Sequence, residues 1–206
     1  MMKTVESSGK TIDEAILMAV AQLGVQRDML EIEVLEEPVK GLFGIIGAKD
    51  ARIRATVKKT KGEIAKEFLM ELMELMGVEA IINVSEDDEQ VNIELKGRGM
   101  GLLIGHRGET LDALQYLTSL VVNKEGQNYK RINLDTENYR KKREETLRRL
   151  AKRLGYKVAK TKKKIALEPM NPFERRIIHA SLQNDSYVRT YSEGEEPNRR
   201  VVITLK

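Results

Sequence analysis

The chain has no cysteine and no tryptophan, and only two histidines, four prolines and three phenylalanines among its 206 residues. Without cysteine there is no disulfide framework and no thiolate site, which fits a reducing, cytoplasmic setting. His106 and His179 are too few for a histidine-rich metal centre, and neither a metal nor another cofactor is expected. Aromatic residues make up 4 % of the chain, so an aromatic stacking platform has few candidates. Long apolar runs are missing as well. The longest stretch of low charge, residues 15–26, spans 12 residues and contains Gln22. A membrane-crossing helix needs roughly 20 apolar residues, so no transmembrane segment is expected. Met1 to Gly9 carry no apolar signal-peptide core. There is no Walker-type loop, metal-ligand cluster or nucleophile–base pair, which leaves a nuclease or phosphotransferase reading weak and points to a protein that is not an enzyme.

What the chain does have is charge, unevenly spread. The net charge is +4, and 33 % of the residues are charged. Residues 1–59 are neutral overall, residues 60–135 carry −6 and residues 136–206 carry +10. The excess is concentrated in residues 136–164, where 13 basic side chains face 3 acidic ones. Such a block is either a solvated helix face or one that meets phosphate. The length allows two or three small domains, and the breaks fall at Thr60-Lys61-Gly62 and after Asp135, giving 1–59, 60–135 and 136–206.

The first segment reads as strand, helix, strand, strand. Thr11-Ile12-Asp13-Glu14 is a capping-box sequence, Ile12, Ala15, Ile16, Ala19, Val20 and Leu23 form an apolar stripe, and Gly24 ends the helix. Ala51, Ile53, Ala55 and Val57 alternate with polar residues as in a strand buried on one face. Between the strands lies the glycine-flanked apolar loop Lys40-Gly41-Leu42-Phe43-Gly44. Leu42 and Phe43 either fold back onto the core or form an exposed docking knob for a partner.

The second segment reads helix, strand, strand, helix, helix, strand. Its first helix carries Ile64, Phe68, Leu69, Leu72 and Met76 inward. Asp87 and Asp88 lie in an acidic hairpin turn and have no base or ligand to make them a catalytic pair. The centre of the segment is Leu102-Leu103-Ile104-Gly105-His106-Arg107-Gly108-Glu109-Thr110-Leu111. An apolar run stops at Gly105, a Gly-x-x-Gly turn follows, and a helical stripe restarts at Leu111, Leu114, Leu117 and Val121. The glycines allow a sharp turn, and the next helix opens on the loop with unpaired N–H groups, a seat for phosphate.

In the third segment a long basic helix, capped by Asp135 or Thr136, presents Lys141, Lys142, Arg148, Arg149, Lys152 and Arg153 around a thin apolar stripe, with Gly155 as an end or weak point. That stripe lacks the bulky face of a membrane-surface helix. Asn171-Pro172-Phe173-Glu174 then opens a helix in which Arg175 and His179 share a face, beside Arg176. Two strands follow, with Thr190, Ser192 and Arg199 between or near them. His179 is either a half-buried structural histidine or a nucleic-acid contact, and the two do not exclude each other.

Gly105–Gly108 in this setting resembles the loop of a KH domain of the prokaryotic, type II kind, which clamps a nucleic-acid backbone. Arg175-x-x-x-His179 with the Thr190–Gly194 segment and Arg199 resembles the R-three-H single-stranded nucleic-acid module. Together with the Lys40–Gly44 loop, the order resembles the Jag family, also called SpoIIIJ-associated protein or KhpB, over the whole chain. The resemblance implies an α+β chain of three modules: a β-α-β-β Jag-type N-terminal domain, an α-β-β-α-α-β KH domain, and an α/β R-three-H domain preceded by the basic helix. It implies bacterial post-transcriptional control linked to cell elongation and division, cell shape or sporulation. It also implies a small single-KH protein as partner, or self-association, and proximity to the membrane insertase. On this reading Gly105–Gly108 hold phosphate, a cleft by Ile104 and Arg131 takes bases, and Arg175, Arg176, His179 and Arg199 form a second site for single-stranded RNA or DNA. The family loop has Lys where this chain has His106, which makes the grip there weaker or pH-sensitive. Gly108→Asp is expected to cripple binding without unfolding the chain. The rival reading is a protein adaptor near the insertase whose acidic KH domain mediates dimerisation.

Overall fold

The computed structural model describes residues 3–39, 49–124 and 128–206. The expected partner site at Lys40, Gly41, Leu42, Phe43 and Gly44 lies outside these residues, and so does the choice between its two readings. The architecture of the described residues is α+β, with three sheets of three strands each.

The N-terminal module runs β1 (Thr4–Gly9), α1 (Ile12–Leu23), β2 (Leu30–Glu36), β3 (Ala51–Val57), with β3 central in an antiparallel sheet of order β1-β3-β2. The capping box forms with one change. Thr11 Oγ1 accepts the Glu14 N–H at 3.2 Å, but the Glu14 carboxylate accepts the N–H of Lys10, one residue before the cap, at 2.8 Å. Ala15, Ile16 and Ala19 are buried against Leu30, Ile53 and Ala55. Gly24 closes the helix at φ +67°, a left-handed conformation that suits glycine. On the outer face Arg54 bridges Glu6 and Glu33 across the three strands at 3.0 and 2.9 Å, exposed pairs that water screens.

The middle segment runs α2 (Lys61–Leu75), β4 (Ala80–Glu86), β5 (Gln90–Gly97), α3 (Met100–Ile104), α4 (Glu109–Val122), β6 (Arg131–Thr136), and its sheet order is β4-β5-β6. Ala65, Leu69 and Met73 are the fully buried face of α2, while Ile64, Phe68, Leu72 and Met76 flank it half-buried. Val91, Ile93 and Leu95 are buried, as their alternation requires. Asp87 folds the hairpin by accepting the N–H groups of Glu89 and Gln90 at 2.9 and 2.8 Å, which holds its carboxyl below the usual range. The stripe expected on α4 is corrected. Leu111, Leu114, Thr118 and Val122 face inward, while Leu117, Leu120 and Val121 are exposed. A 3.6-residue period drifts from strict three- and four-residue steps, so a helix this long buries the line through 118 and 122 instead.

The last segment runs α5 (Tyr139–Thr161), β7 (Ile165–Ala166), α6 (Pro172–Leu182), β8 (Val188–Glu193), β9 (Arg200–Leu205), with sheet order β7-β9-β8. Leu147, Ala151 and Val158 of α5 pack with Ile177, Ile178 and Leu182 of α6 and with Val188, Val201 and Ile203. At the start of α5 the cap position is Asn138, in the left-handed conformation at φ +58° and with no side-chain capping bond. The side chain that reaches the first turn is that of Asp135, as the sequence suggests: its Oδ1 accepts the N–H of Thr136 at 2.9 Å and that of Arg140 at 3.4 Å. One expectation for α5 is corrected. Gly155 does not interrupt the helix. It is buried, and a Cβ there would lie 2.9 Å from Leu182 Cδ2, so the missing side chain is what lets α5 and α6 approach closely.

The chain divides into two compact units. One comprises Met1–Leu75, Val84–Asn92 and Leu117–Ile132, and the other Met76–Asn83, Ile93–Tyr116 and Asn133–Lys206. The Gly-x-x-Gly turn and the entire C-terminal segment therefore belong to the same unit.

Candidate nucleic-acid interface

The turn between α3 and α4 takes its shape from three left-handed residues: Gly105 at φ +68°, Arg107 at φ +56° and Gly108 at φ +87°. At Gly105 a Cβ would overlap the Thr110 side chain, and at Gly108 it would lie 2.8 Å from Tyr139 Cε1, so neither position tolerates a side chain without movement. Ile104 is half-buried at the end of α3, and His106 is exposed within 3.7 Å of Glu109. The turn's permanent cation is already engaged. Arg107 donates to the Glu168 carboxylate and to the Pro169 carbonyl, and its side chain is 19 % exposed. A carboxylate thus sits where a phosphate would be expected. Gly108 is buried, which corrects the use of Gly108→Asp as a clean test of the turn. Asp at that φ would be strained and would displace the Tyr139 ring at the start of α5. Arg131 opens β6 in the other unit, exposed, with its N–H on Glu89 O at 2.9 Å.

In the C-terminal segment the helix start forms as the sequence predicts. Asn171 Oδ1 accepts the Glu174 N–H at 2.8 Å, with Pro172 in the first turn. Arg175 is 8 % exposed, and its guanidinium donates to Met170 O at 2.7 Å and to Glu196 at 2.6 Å, so it ties α6 to the chain before it and to the β8–β9 turn. The guanidinium that the sequence reading placed on phosphate is thus taken up by these two partners in the structure. His179 lies between Thr190 Oγ1 at 2.7 Å from Nδ1 and Ser192 Oγ at 2.8 Å from Nε2, fixing α6 against β8. Arg199 reaches the Gly194 carbonyl at 3.3 Å and remains exposed.

Alongside His179 runs an open groove of about 440 Å³, lined by Arg176, Arg189, Lys206, Thr190 and Gln183, with no acidic side chain on its lining. Of the six C-terminal residues singled out from the sequence, Arg176, His179 and Thr190 line the groove, whereas Arg175, Ser192 and Arg199 do not.

Three family models match the chain, in one order: Jag N-terminus over residues 7–57, the KhpA/KhpB KH domain over 63–134 and the R-three-H domain over 145–205. The RNA-binding protein KhpB of Clostridium symbiosum is 51 % identical over 207 aligned residues, covering 100 % of this chain and 93 % of that protein. The chain belongs to the KhpB family. The Bacillus subtilis KhpB is 41 % identical, with both chains covered in full (100 %), and the Lactiplantibacillus plantarum KhpB is 35 % identical over 74 % of this chain and 48 % of its own length.

Within this KhpB-family chain, Arg189 and Lys206 are the cationic groove residues that sequence reasoning missed. Neither falls on the arginine–histidine spacing that drew attention to α6. Their proximity follows from strand pairing, in which Lys206 N donates to Tyr187 O at 3.0 Å across β8 and β9. Along α5, Lys141, Lys142, Arg148, Arg149, Lys152 and Arg153 are all exposed, and Arg148 is tied to Glu144 one turn earlier at 2.6 Å.

His179 adds no charge to the groove near neutral pH. Burial, and then the charge of Arg175, hold its pKa below the usual imidazole value. The unfolded chain therefore takes up a proton near pH 6.5 that the folded chain resists, and stability falls as the pH drops below about 6.5. Thermal midpoints measured from pH 7.5 to 5 should show this fall in the wild type and a shallower one in His179→Asn. Parallel curves would show that His179 is not held neutral.

Among the described residues no helix is long and apolar enough to cross a membrane, and no group of three or more histidine and acidic side chains is placed to hold a metal ion.

Proposed function

We propose that this chain binds single-stranded RNA, and single-stranded DNA of the same chemistry, without catalysing a reaction on it, through modules spanning 1–59, 60–135 and 136–206. The observation that carries the reading is the groove beside His179, where Arg176, Arg189 and Lys206 line the wall and no acidic side chain offsets them. Three cations without an acid form a phosphate-facing surface, and the groove is open enough for a flexible strand. The relatives' shared name, RNA-binding protein KhpB, supports the same reading. The Gly105–Gly108 turn is the second contact, reached when phosphate displaces Glu168 from Arg107. Two sites on one chain raise each other's effective concentration.

The setting that goes with this reading is post-transcriptional regulation in the bacterial cytoplasm, tied to cell elongation, division, cell shape or sporulation, with peripheral contact at the membrane insertase. Exposed Leu117, Leu120 and Val121 on α4 favour a protein contact there, with a small single-KH protein or a second copy. A protein contact on α4 is compatible with RNA binding, and the relatives' shared name supports RNA binding and lends no support to an adaptor role.

The test is salt-titrated binding of a labelled single-stranded RNA to the full chain. Affinity should fall steeply with salt, and a chain that ignores every oligonucleotide at low ionic strength would end the proposal. One variant isolates the turn. Glu168→Gln removes the carboxylate that engages Arg107 on a residue that is itself 80 % exposed. It should tighten binding several-fold, because phosphate no longer competes with a carboxylate for Arg107, and leave the salt slope near that of the wild type. An unchanged affinity would show that Arg107 does not meet phosphate.

A further inference from the structure

A second cavity, of about 420 Å³, lies between the Gly-x-x-Gly turn and the first turns of α5 and α6, all within one unit; Arg107 and Gly108 of the turn line it, and the remainder of its wall plays no part in the contacts above. Gly108 and Tyr139 form one wall, and Leu147, Phe173 and Ile177 make its lining largely apolar. Phe173 is 63 % exposed, one of three phenylalanines in the chain. An exposed aromatic ring beside a cavity is surface that a ligand can cover. The carboxylates on the lining are accounted for at one oxygen each: Asp112 takes Arg140 Nη1 at 2.6 Å, Glu144 takes Arg148 at 2.6 Å, and Glu174 Oε1 takes Arg143 Nε at 2.7 Å. Lys141, exposed on the same lining, has no carboxylate partner among the described residues.

Glu174 is the exception that gives the cavity its chemistry. It is 3 % exposed, and its second oxygen, Oε2, has no hydrogen-bond partner among the described residues. A buried acceptor left unpaired is costly, and a ligand that brings an N–H removes the cost. A ligand suited to these walls is flat and apolar on its faces, carries an N–H donor on one edge, and is followed by an anion for Lys141. A nucleotide unit has all three properties.

We propose that this cavity receives one unstacked base of single-stranded RNA bearing an exocyclic amino group (cytosine, adenine or guanine), its ring against Phe173 and Tyr139 and its amino group on Glu174 Oε2. The proposal rests on the RNA-binding reading above. Uracil fits poorly, because its edge N–H lies between two carbonyl oxygens that face the carboxylate.

Cytosine and uracil provide the comparison, since they share a ring and differ chiefly at the amino or carbonyl group. Labelled oligocytidine and oligouridine of equal length are titrated with the full chain at low salt. The wild type should prefer oligocytidine by roughly tenfold, the scale of one good edge contact. Glu174→Gln keeps an oxygen for Arg143 and offers an N–H in place of Oε2, so the preference should shrink or reverse toward oligouridine. Phe173→Ala, at an exposed position, should weaken both by roughly tenfold, the loss of one stacked base. Binding of both oligomers with equal affinity, unmoved by Phe173→Ala, overturns the cavity proposal and leaves RNA binding standing. Failure of the wild type to bind either oligomer removes the RNA reading itself. Should Glu174→Gln unfold, Phe173→Ala decides alone, an unchanged affinity counting against the cavity and a tenfold loss for it.

Discussion

Single-stranded RNA affinity at 0.1 M salt should fall about a hundredfold when Arg176, Arg189 and Lys206 are all replaced by glutamine. Each phosphate contact on a single strand contributes about 0.7 to the slope of log affinity against log salt, so three contribute about 2. A slope of 2 amounts to about a hundredfold across the tenfold range from 0.1 M to 1 M, and that electrostatic share is what the variant loses. The fold should survive. Arg176 and Arg189 are exposed, and among the described residues Lys206 Nζ donates to the Asp185 carbonyl alone, at 2.5 Å. Exposed substitutions of this kind cost within about 0.5 kcal/mol each. Anisotropy titrations over a salt series, with a thermal melt of each variant, give both numbers. A variant with wild-type slope and affinity would place the phosphates elsewhere, on the turn at Gly105–Gly108 or along α5. A variant that loses affinity with an unchanged slope would mean that the groove works through shape and not through charge.

How much of this was legible in the sequence depends on how local the determining contact is. Caps and turns are written within four residues: those at Asp87–Gln90 and Asn171–Glu174 form as read, and that at Thr11–Glu14 does so but for Glu14 reaching Lys10 in place of Thr11. Period-two strands such as Val91, Ile93 and Leu95 are equally local. The inward line of α4 was not legible, because alternation among Leu117, Leu120, Val121 and Val122 leaves several stripes open until tertiary packing selects one. Gly155 looked like a break because helix propensity was weighed alone, whereas its reason is Leu182, 27 positions further on. The candidate site divides in the same way. Spacing found Arg176, His179 and Thr190, but Arg189 and Lys206 reach the groove through strand pairing, and Glu168 reaches Arg107 across 61 positions. No motif encodes such pairings. Spacing also grouped Arg175 with His179 by type, and only burial reveals that Arg175 serves the fold.

That last distinction carries the second large effect. Arg175→Met should destabilise the C-terminal segment by about 2–3 kcal/mol, through hydrogen bonds to a charged donor that the thioether cannot replace. The Met170 carbonyl, accepting from the guanidinium at 2.7 Å in a buried setting, loses its partner. Glu196 loses its partner too but is 53 % exposed, so water takes over that half at little cost. Methionine fills much of the aliphatic volume, which confines the loss to the polar contacts. For a domain of 60–100 residues each kcal/mol lowers the thermal midpoint by about 4–8 °C, so a fall of roughly 10–20 °C is expected. RNA binding measured well below the new midpoint should stay within a few-fold of wild type, with the salt slope unchanged, because Arg175 does not line the groove. The opposite pattern, a stable variant whose slope drops by about 0.7, would return Arg175 to the phosphate and make its buried position a resting state. The two outcomes separate a residue that holds α6 in place from one that α6 presents to the ligand, a choice that the Arg175–His179 spacing leaves open.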